Sequence, residues 1–408
     1  MTSTAKKSLA RGVTAAVCAG LMLAAAAVPA LAAARPPTGR GELIDATPVQ
    51  ALDAEQLKLL LRGTAFGAEP VRFGVDAYRV TYRTVDVHGR ATTASGLIVL
   101  PRNGNSPLRL VSYAHGTRSG RAGVASVDPS NMDRGAALLI ASAGYAAVAP
   151  DYLGLGSGPG FHPYFDSATE ATASVDLLRA ARKVAARQQR TLDPRVLVTG
   201  FSQGGQAAMA LGRALQSGTD RWLRLGALAP ISGPYDAEHA EIPGALVTGE
   251  VAPDVAAFYL AYWTVSGNRL HHLYDEPSEV FRAPYDKTVE ALFDGSHSEE
   301  QIFPALPGTP QELFTDSYRE RLLHPSGAVL EALRASDDTC SNWRPAVPVH
   351  LFAASGDTQV NLANTVNCQR DLREHGVRAQ VTDLGRIEHF DTLFTGLPRV
   401  LDWFSRRS

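Results

Sequence analysis

Short apolar runs alternate with longer amphipathic, alanine-rich stretches through most of the chain. The apolar runs predict strands at 78–85, 92–100, 108–114, 145–149, 195–199, 225–229, 347–353 and 378–383. The first two alternate in polarity and are joined by His88-Gly89, as in a hairpin. The later ones, such as Val-Leu-Val-Thr, are apolar without interruption, which suits parallel strands buried on both faces. Helical periodicity predicts helices at 132–143, 168–186 and 203–216, the first stopped by Gly144. Strands alternating with helices predict an α/β fold with a mostly parallel central sheet covered on both faces. Residues 234–338 break this rhythm. They hold no convincing strand and carry Phe258, Tyr259, Tyr262, Trp263, Tyr274, Phe281, Phe293, Phe303 and Phe314. This segment reads as a helical cap inserted between sheet strands of a single domain spanning 35–408.

Residues 1–34 form a separate block. Lys6, Lys7 and Arg11 precede an apolar stretch ending in small residues around Ala30, Ala32 and Ala34, the pattern of a secretory signal peptide. The competing reading is an uncleaved membrane anchor, because the apolar run approaches the length of a spanning helix. Export places the remaining cysteines, Cys340 and Cys368, where disulfides persist, so they are expected to pair; Cys18 leaves with the signal. Two buried free thiols are the alternative.

The chain has 408 residues, 45% hydrophobic and 20% charged, with a net charge of −2. That is ordinary globular composition and argues against disorder and against a polyanionic partner such as nucleic acid.

The sharpest chemical signal is Gly200-Phe201-Ser202-Gln203-Gly204, between the apolar strand 195–199 and the alanine-rich helix 203–216. This is a G-x-S-x-G nucleophile elbow in its strand–turn–helix context. Small residues two positions either side let strand and helix approach while Ser202 takes a strained conformation. A serine hydroxyl needs a base and an acid that orients the base, in the chain order Ser, Asp or Glu, His. Asp357 follows the apolar strand 347–353, and His389 follows the next strand. The other candidates fit less well: His350 lies inside a strand, His375 beside a glycine turn, Asp383 ends a strand too late, and Asp391 follows the histidine.

Acyl transfer also needs two backbone N–H donors for the oxyanion. Gln203 supplies one, and Thr117, after the strand ending in His115-Gly116, the other; Gly116 is the runner-up. His115 itself is expected to shape the turn. The glycine-rich stretch 149–164 fails G-x-G-x-x-G because Pro159 replaces the third glycine and Phe-His-Pro-Tyr follows in place of a helix. No motif calls for a nucleotide, metal or other cofactor.

Tyr113-Ala-His-Gly-Thr, Ala149-Pro-Asp-Tyr-Leu-Gly-Leu-Gly, Gly200-Phe-Ser-Gln-Gly-Gly, Ser355-Gly-Asp and Glu388-His-Phe, taken in this order, resemble the secretory lipase family of α/β-hydrolases. The resemblance runs from about residue 78 to the C-terminus. It implies a secreted carboxylic ester hydrolase working without cofactor, with Ser202, Asp357 and His389 in the catalytic roles and a helical cap over the acyl site. The implied partner is a small-molecule or lipid ester, with transient contact at a lipid interface and no obligate protein partner. The same fold and triad serve serine peptidases, amidases and acyltransferases. Glu276, Glu279, Glu299 and Glu300 would favour a peptidase if they gathered to grip a substrate amine. A non-catalytic binding protein would have no need of an intact Ser, Asp and His.

Overall fold

A computed structural model describes residues 39–407. The expected signal segment lies outside the described residues. Seven strands form one sheet: β1 (Leu43–Leu52), β2 (Val75–Val85), β3 (Ala91–Pro101), β4 (Leu108–Ala114), β5 (Ala146–Pro150), β6 (Leu192–Gly200) and β7 (Arg224–Leu228). Their order is β1-β2-β3-β5-β4-β6-β7. β1, β2, β3 and β5 pair antiparallel in sequence, and β5, β4, β6 and β7 pair parallel. A parallel pair, β8 (His350–Ala353) and β9 (Gln380–Asp383), continues beside β7 through the bridges Leu228–Val349 and Ile231–Phe352.

The parallel strands are the ones with uninterrupted apolar sequence, and β5 is buried along its whole length. Helices cover both faces. α3 (Ser167–Arg187) and α4 (Gln203–Gln216) pack on one core, which includes Val80, Tyr82, Val148, Val196 and Val198. α2 (Met132–Ser142) and the C-terminal helix His389–Ser405 pack on the other, which includes Ala77, Leu97, Val99 and Ala147. This is an α/β-hydrolase fold.

Three elements went unpredicted. β1 is a half-exposed edge strand with Pro48 inside it, so its apolar alternation is weak. α1 (Ala54–Arg62) buries only Leu57 and Leu61, although Asp53 and Gln56 form a capping box at its start. The helix Leu-Phe-Thr-Gly-Leu-Pro region of His389–Ser405 contains Pro398, which masks its period.

Between β7 and β8 the chain is helical, dominated by α5 (Pro253–His271) and the helix Gly327–Ser341. Its aromatics, including Phe258, Tyr262, Phe281, Phe314 and Tyr318, form their own core with Tyr164 and Phe165 from the loop after β5. Cys340 and Cys368 form a disulfide that ties Gly327–Ser341 to the helix Ala363–Glu374. Among the described residues no helix is long and apolar enough to cross a membrane.

Candidate active site

Ser202 stands between β6 and α4 with φ 57° and ψ −127°, a left-handed conformation that is costly for a residue with a side chain. The neighbouring glycines show why the turn is possible. A Cβ on Gly200 would lie 2.1 Å from Gly204 O, and one on Gly204 would lie 2.0 Å from Ala114 O. Strand β4, the turn and α4 therefore touch backbone to backbone. Gly116 comes close to the same point, since a Cβ there would be 3.3 Å from Ser202 Cβ.

Asp357 follows β8, and His389 opens the C-terminal helix. Gly356 lets their two loops cross, because a Cβ on it would meet Arg386 at 2.7 Å. His389 Nδ1 and Asp357 Oδ2 are 2.7 Å apart, with both side chains 1% exposed. The other carboxylate oxygen accepts the Gln359 and Val360 N–H groups at 2.9 and 3.0 Å, fixing the plane of the acid. An acid beside Nδ1 holds the proton there and leaves the Nε2 lone pair free. His389 Nε2 is buried and has no partner among the described residues. The ring of Phe201, the residue before Ser202, lies 4.7 Å from the imidazole. No hydrogen bond joins Ser202 Oγ to His389 here, and such bonds commonly tighten only with substrate bound.

Neither the Thr117 nor the Gln203 backbone N–H has a hydrogen-bond partner among the described residues. Thr117, Ser202 and Gln203 line one cleft with about 630 Å³ of empty space, part of it open to solvent. Its remaining wall is mainly apolar, with Phe165, Ile242, Leu260, Trp263, Leu333 and Val360. The lining suits an apolar organic group.

The competing candidates serve the scaffold. His350 Nε2 bonds Thr382 Oγ1 at 2.8 Å, and its ring stacks 4.1 Å from Phe352. His375 is exposed and bonds Ser341 O. Asp383 accepts the Ser355 and Gly385 N–H groups. His115 Nδ1 donates to Gly116 O at 2.6 Å, bracing the turn before Thr117. Glu276 and Glu279 cap a short helical turn, while Glu299 accepts from Ser119; none of these nor Glu300 lines the cleft. Among the described residues no group of His, Cys, Asp and Glu could hold a metal ion.

Sequence reasoning missed two buried acids. Glu241 lines the cleft and accepts from Asn364 Nδ2; burial, with the Asp357 charge, pushes its carboxyl well above the usual range. Glu170, on α3, accepts from the Gln203 side chain at 2.6 Å, and burial raises its pKa strongly. A glutamate at one buried helical position leaves no pattern in the sequence. The segment containing His162 and Tyr164 was conspicuous there only for failing a nucleotide motif.

The chain matches the rice cell wall degrading esterase LipA from Xanthomonas oryzae at 27% identity and TM-score 0.81, covering 91% of this chain and 99% of that one. It matches a candidate hydrolase of Legionella pneumophila at 26% identity and TM-score 0.81, covering 89% and 97%. Candida antarctica lipase A shares the fold at 16% identity and TM-score 0.62, covering 86% and 78%. No family model and no curated protein sequence matches the chain. The likeness to the LipA esterase and the Legionella hydrolase supports placing this chain among ester hydrolases, and the likeness to the lipase shows the shared fold.

Proposed function

We propose that the protein is a secreted serine esterase of lipase type, with Ser202 as nucleophile, His389 as base and Asp357 as the acid that orients it. The observation that carries this reading is the buried 2.7 Å His389–Asp357 pair beside a strained Ser202 that opens into a largely apolar cleft. The similarity to an esterase over nearly its whole length adds to it.

In the reaction His389 Nε2 takes the Ser202 Oγ proton as Oγ attacks the ester carbonyl carbon. The Thr117 and Gln203 N–H groups receive the developing oxyanion, and Asp357 stabilises the imidazolium. Nε2 then returns the proton to the departing alkoxide and the alcohol leaves. Water gives a proton to Nε2, attacks the acyl carbon, and releases the carboxylic acid while Ser202 regains its proton. The helical insertion 234–338 acts as a cap whose apolar residues wall the acyl group.

The leader-like pattern of residues 1–34 and the Cys340–Cys368 disulfide support secretion. A peptidase reading would need a charged carboxylate in the cleft to grip an amine. Glu241 is the acid lining the cleft, and burial with the nearby Asp357 charge disfavours its charged form. The test is hydrolysis of p-nitrophenyl esters from acetate to palmitate beside an aminoacyl p-nitroanilide. Ester cleavage that disappears in Ser202→Ala is expected; cleavage of the anilide alone would make the protein a peptidase.

A further inference from the structure

The loop after β5 and the first turn of α3 form a layer directly behind the two amides assigned to the oxyanion. It holds buried polar side chains that the reaction above does not use. Behind Gln203, the side-chain Nε2 donates to Glu170 Oε1 at 2.6 Å and lies 3.3 Å from His162 Nε2. His162 Nδ1 is 2.9 Å from Leu153 O. A carbonyl oxygen only accepts, so Nδ1 carries the proton, Nε2 is a lone pair, and the Gln203 amide must turn its NH₂ toward it. Burial agrees, lowering the His162 pKa to about 3 so that the ring stays neutral. Both hydrogens of that NH₂ are therefore committed, and the side chain has one orientation. Behind the other amide, Thr117 Oγ1 shares a 3.0 Å hydrogen bond with Tyr164 OH.

This layer is itself fixed. Phe165, between Tyr164 and the helix cap Asp166, has φ 65°, a strained conformation for a phenylalanine. Its carbonyl accepts from Ser336 Oγ at 2.7 Å, and Ser167 Oγ donates to Ala335 O at 2.5 Å. Tyr164 stacks on Tyr262 with ring centroids 4.0 Å apart. Strain held by this many contacts is the usual mark of a site whose geometry matters.

We propose that His162, Tyr164 and Glu170 are positioning residues that hold the two oxyanion amides, His162 and Glu170 through the Gln203 side chain and Tyr164 through Thr117. The proposal rests on the reading of Ser202 as nucleophile. None of the three touches the reacting atoms. Their effect falls on the transition state, where donors displaced by a fraction of an ångström lose much of their value. His162 and Glu170 do not line the cleft and leave substrate binding alone, whereas Tyr164 also lines it, so its part is read from kcat and boronate affinity.

The test measures kcat and KM on a p-nitrophenyl ester, per active site counted by fluorophosphonate uptake, with the affinity for a boronic acid that mimics the tetrahedral intermediate. The variants are Glu170→Ala, Glu170→Gln, Tyr164→Phe and Gln203→Leu. Glu170→Ala is expected to lower kcat by up to about 10²-fold with KM unchanged. Boronate affinity should fall in step with kcat/KM. Tyr164→Phe and Gln203→Leu should move the same quantities in the same direction. Glu170→Gln should restore most of kcat, because a carboxamide oxygen in the same place accepts the same Gln203 bond. Wild-type kcat in folded Tyr164→Phe and Gln203→Leu, or losses confined to KM or to the number of active sites, would overturn the proposal. Wild-type protein that takes up no probe at Ser202 would instead remove the nucleophile reading on which it rests.

Discussion

Replacing Asp357 with Asn exchanges one oxygen for NH₂ and tests the triad through a proton. In the wild type one carboxylate oxygen accepts two backbone N–H groups, from Gln359 and Val360, and the other faces His389 Nδ1 at 2.7 Å. An asparagine must keep its carbonyl oxygen toward the two backbone donors. Turning it the other way would leave both unsatisfied in a buried place, at about 1–3 kcal/mol each. Its NH₂ then points at His389 Nδ1, which has to present a lone pair. The imidazole proton moves to Nε2, the nitrogen that must accept from Ser202. The base is lost although every atom stays in place. Tautomer reversal of this kind lowers kcat by about 10⁴-fold, or about 5–6 kcal/mol of transition-state stabilisation. The assay is kcat on a p-nitrophenyl ester at pH 8, beside thermal unfolding. Expected are a kcat loss of that order and a melting temperature close to wild type. A folded Asp357→Asn protein within tenfold of wild-type kcat would refute the orientation argument.

Gly204→Ala should abolish the active fold of the elbow, since the new Cβ would sit 2.0 Å from Ala114 O; soluble yield and activity check this. Replacing Cys340 and Cys368 with Ser opens a loop of sequence separation 28, and the chain-entropy relation gives about 3–4 kcal/mol of lost stability, readable by urea denaturation. The histidine contribution to stability should fall as pH drops from about 6.5 toward 3, opposed by the buried carboxyls Glu170, Glu241 and Asp337, whose raised pKa values act in the other direction. His162 and His350 have folded pKa values lowered by burial to about 3 and about 4, so below about 6.5 the unfolded chain binds protons that the folded chain refuses. The buried His162 contributes at most about 1.4 kcal/mol per pH unit and the half-exposed His350 less, because solvent screens it; urea unfolding between pH 4 and 7 should show a smaller slope in His350→Gln than in wild type.

Much of this architecture was legible because parallel strands and amphipathic helices leave strong periods in sequence. The runs 108–114 and 203–216 coincide with the observed β4 and α4. Gly200, Ser202 and Gly204 were readable because sterics leave few alternatives at a turn where backbones approach this closely. Asp357 and His389 followed from chain order and strand ends, which required the fold to be right first. The half-exposed β1 lacked a pattern because an edge strand need not be apolar on either face. Glu170 and His162 stayed silent for a different reason. Their place behind Gln203 depends on how α3 crosses α4, a long-range packing relation that no local spacing encodes. Glu241 likewise enters the cleft only through the tertiary placement of residues 237–241 against Asn364.

The most direct test of the central claim is chemical. The mature protein would be incubated with a fluorophosphonate and digested, and the modified peptide mapped by mass spectrometry in wild type, Ser202→Ala and His389→Ala. The account predicts one adduct, on Ser202, formed rapidly in wild type, absent in Ser202→Ala and strongly slowed in His389→Ala. An adduct on another serine, or a folded wild-type protein that takes up no probe, would contradict it.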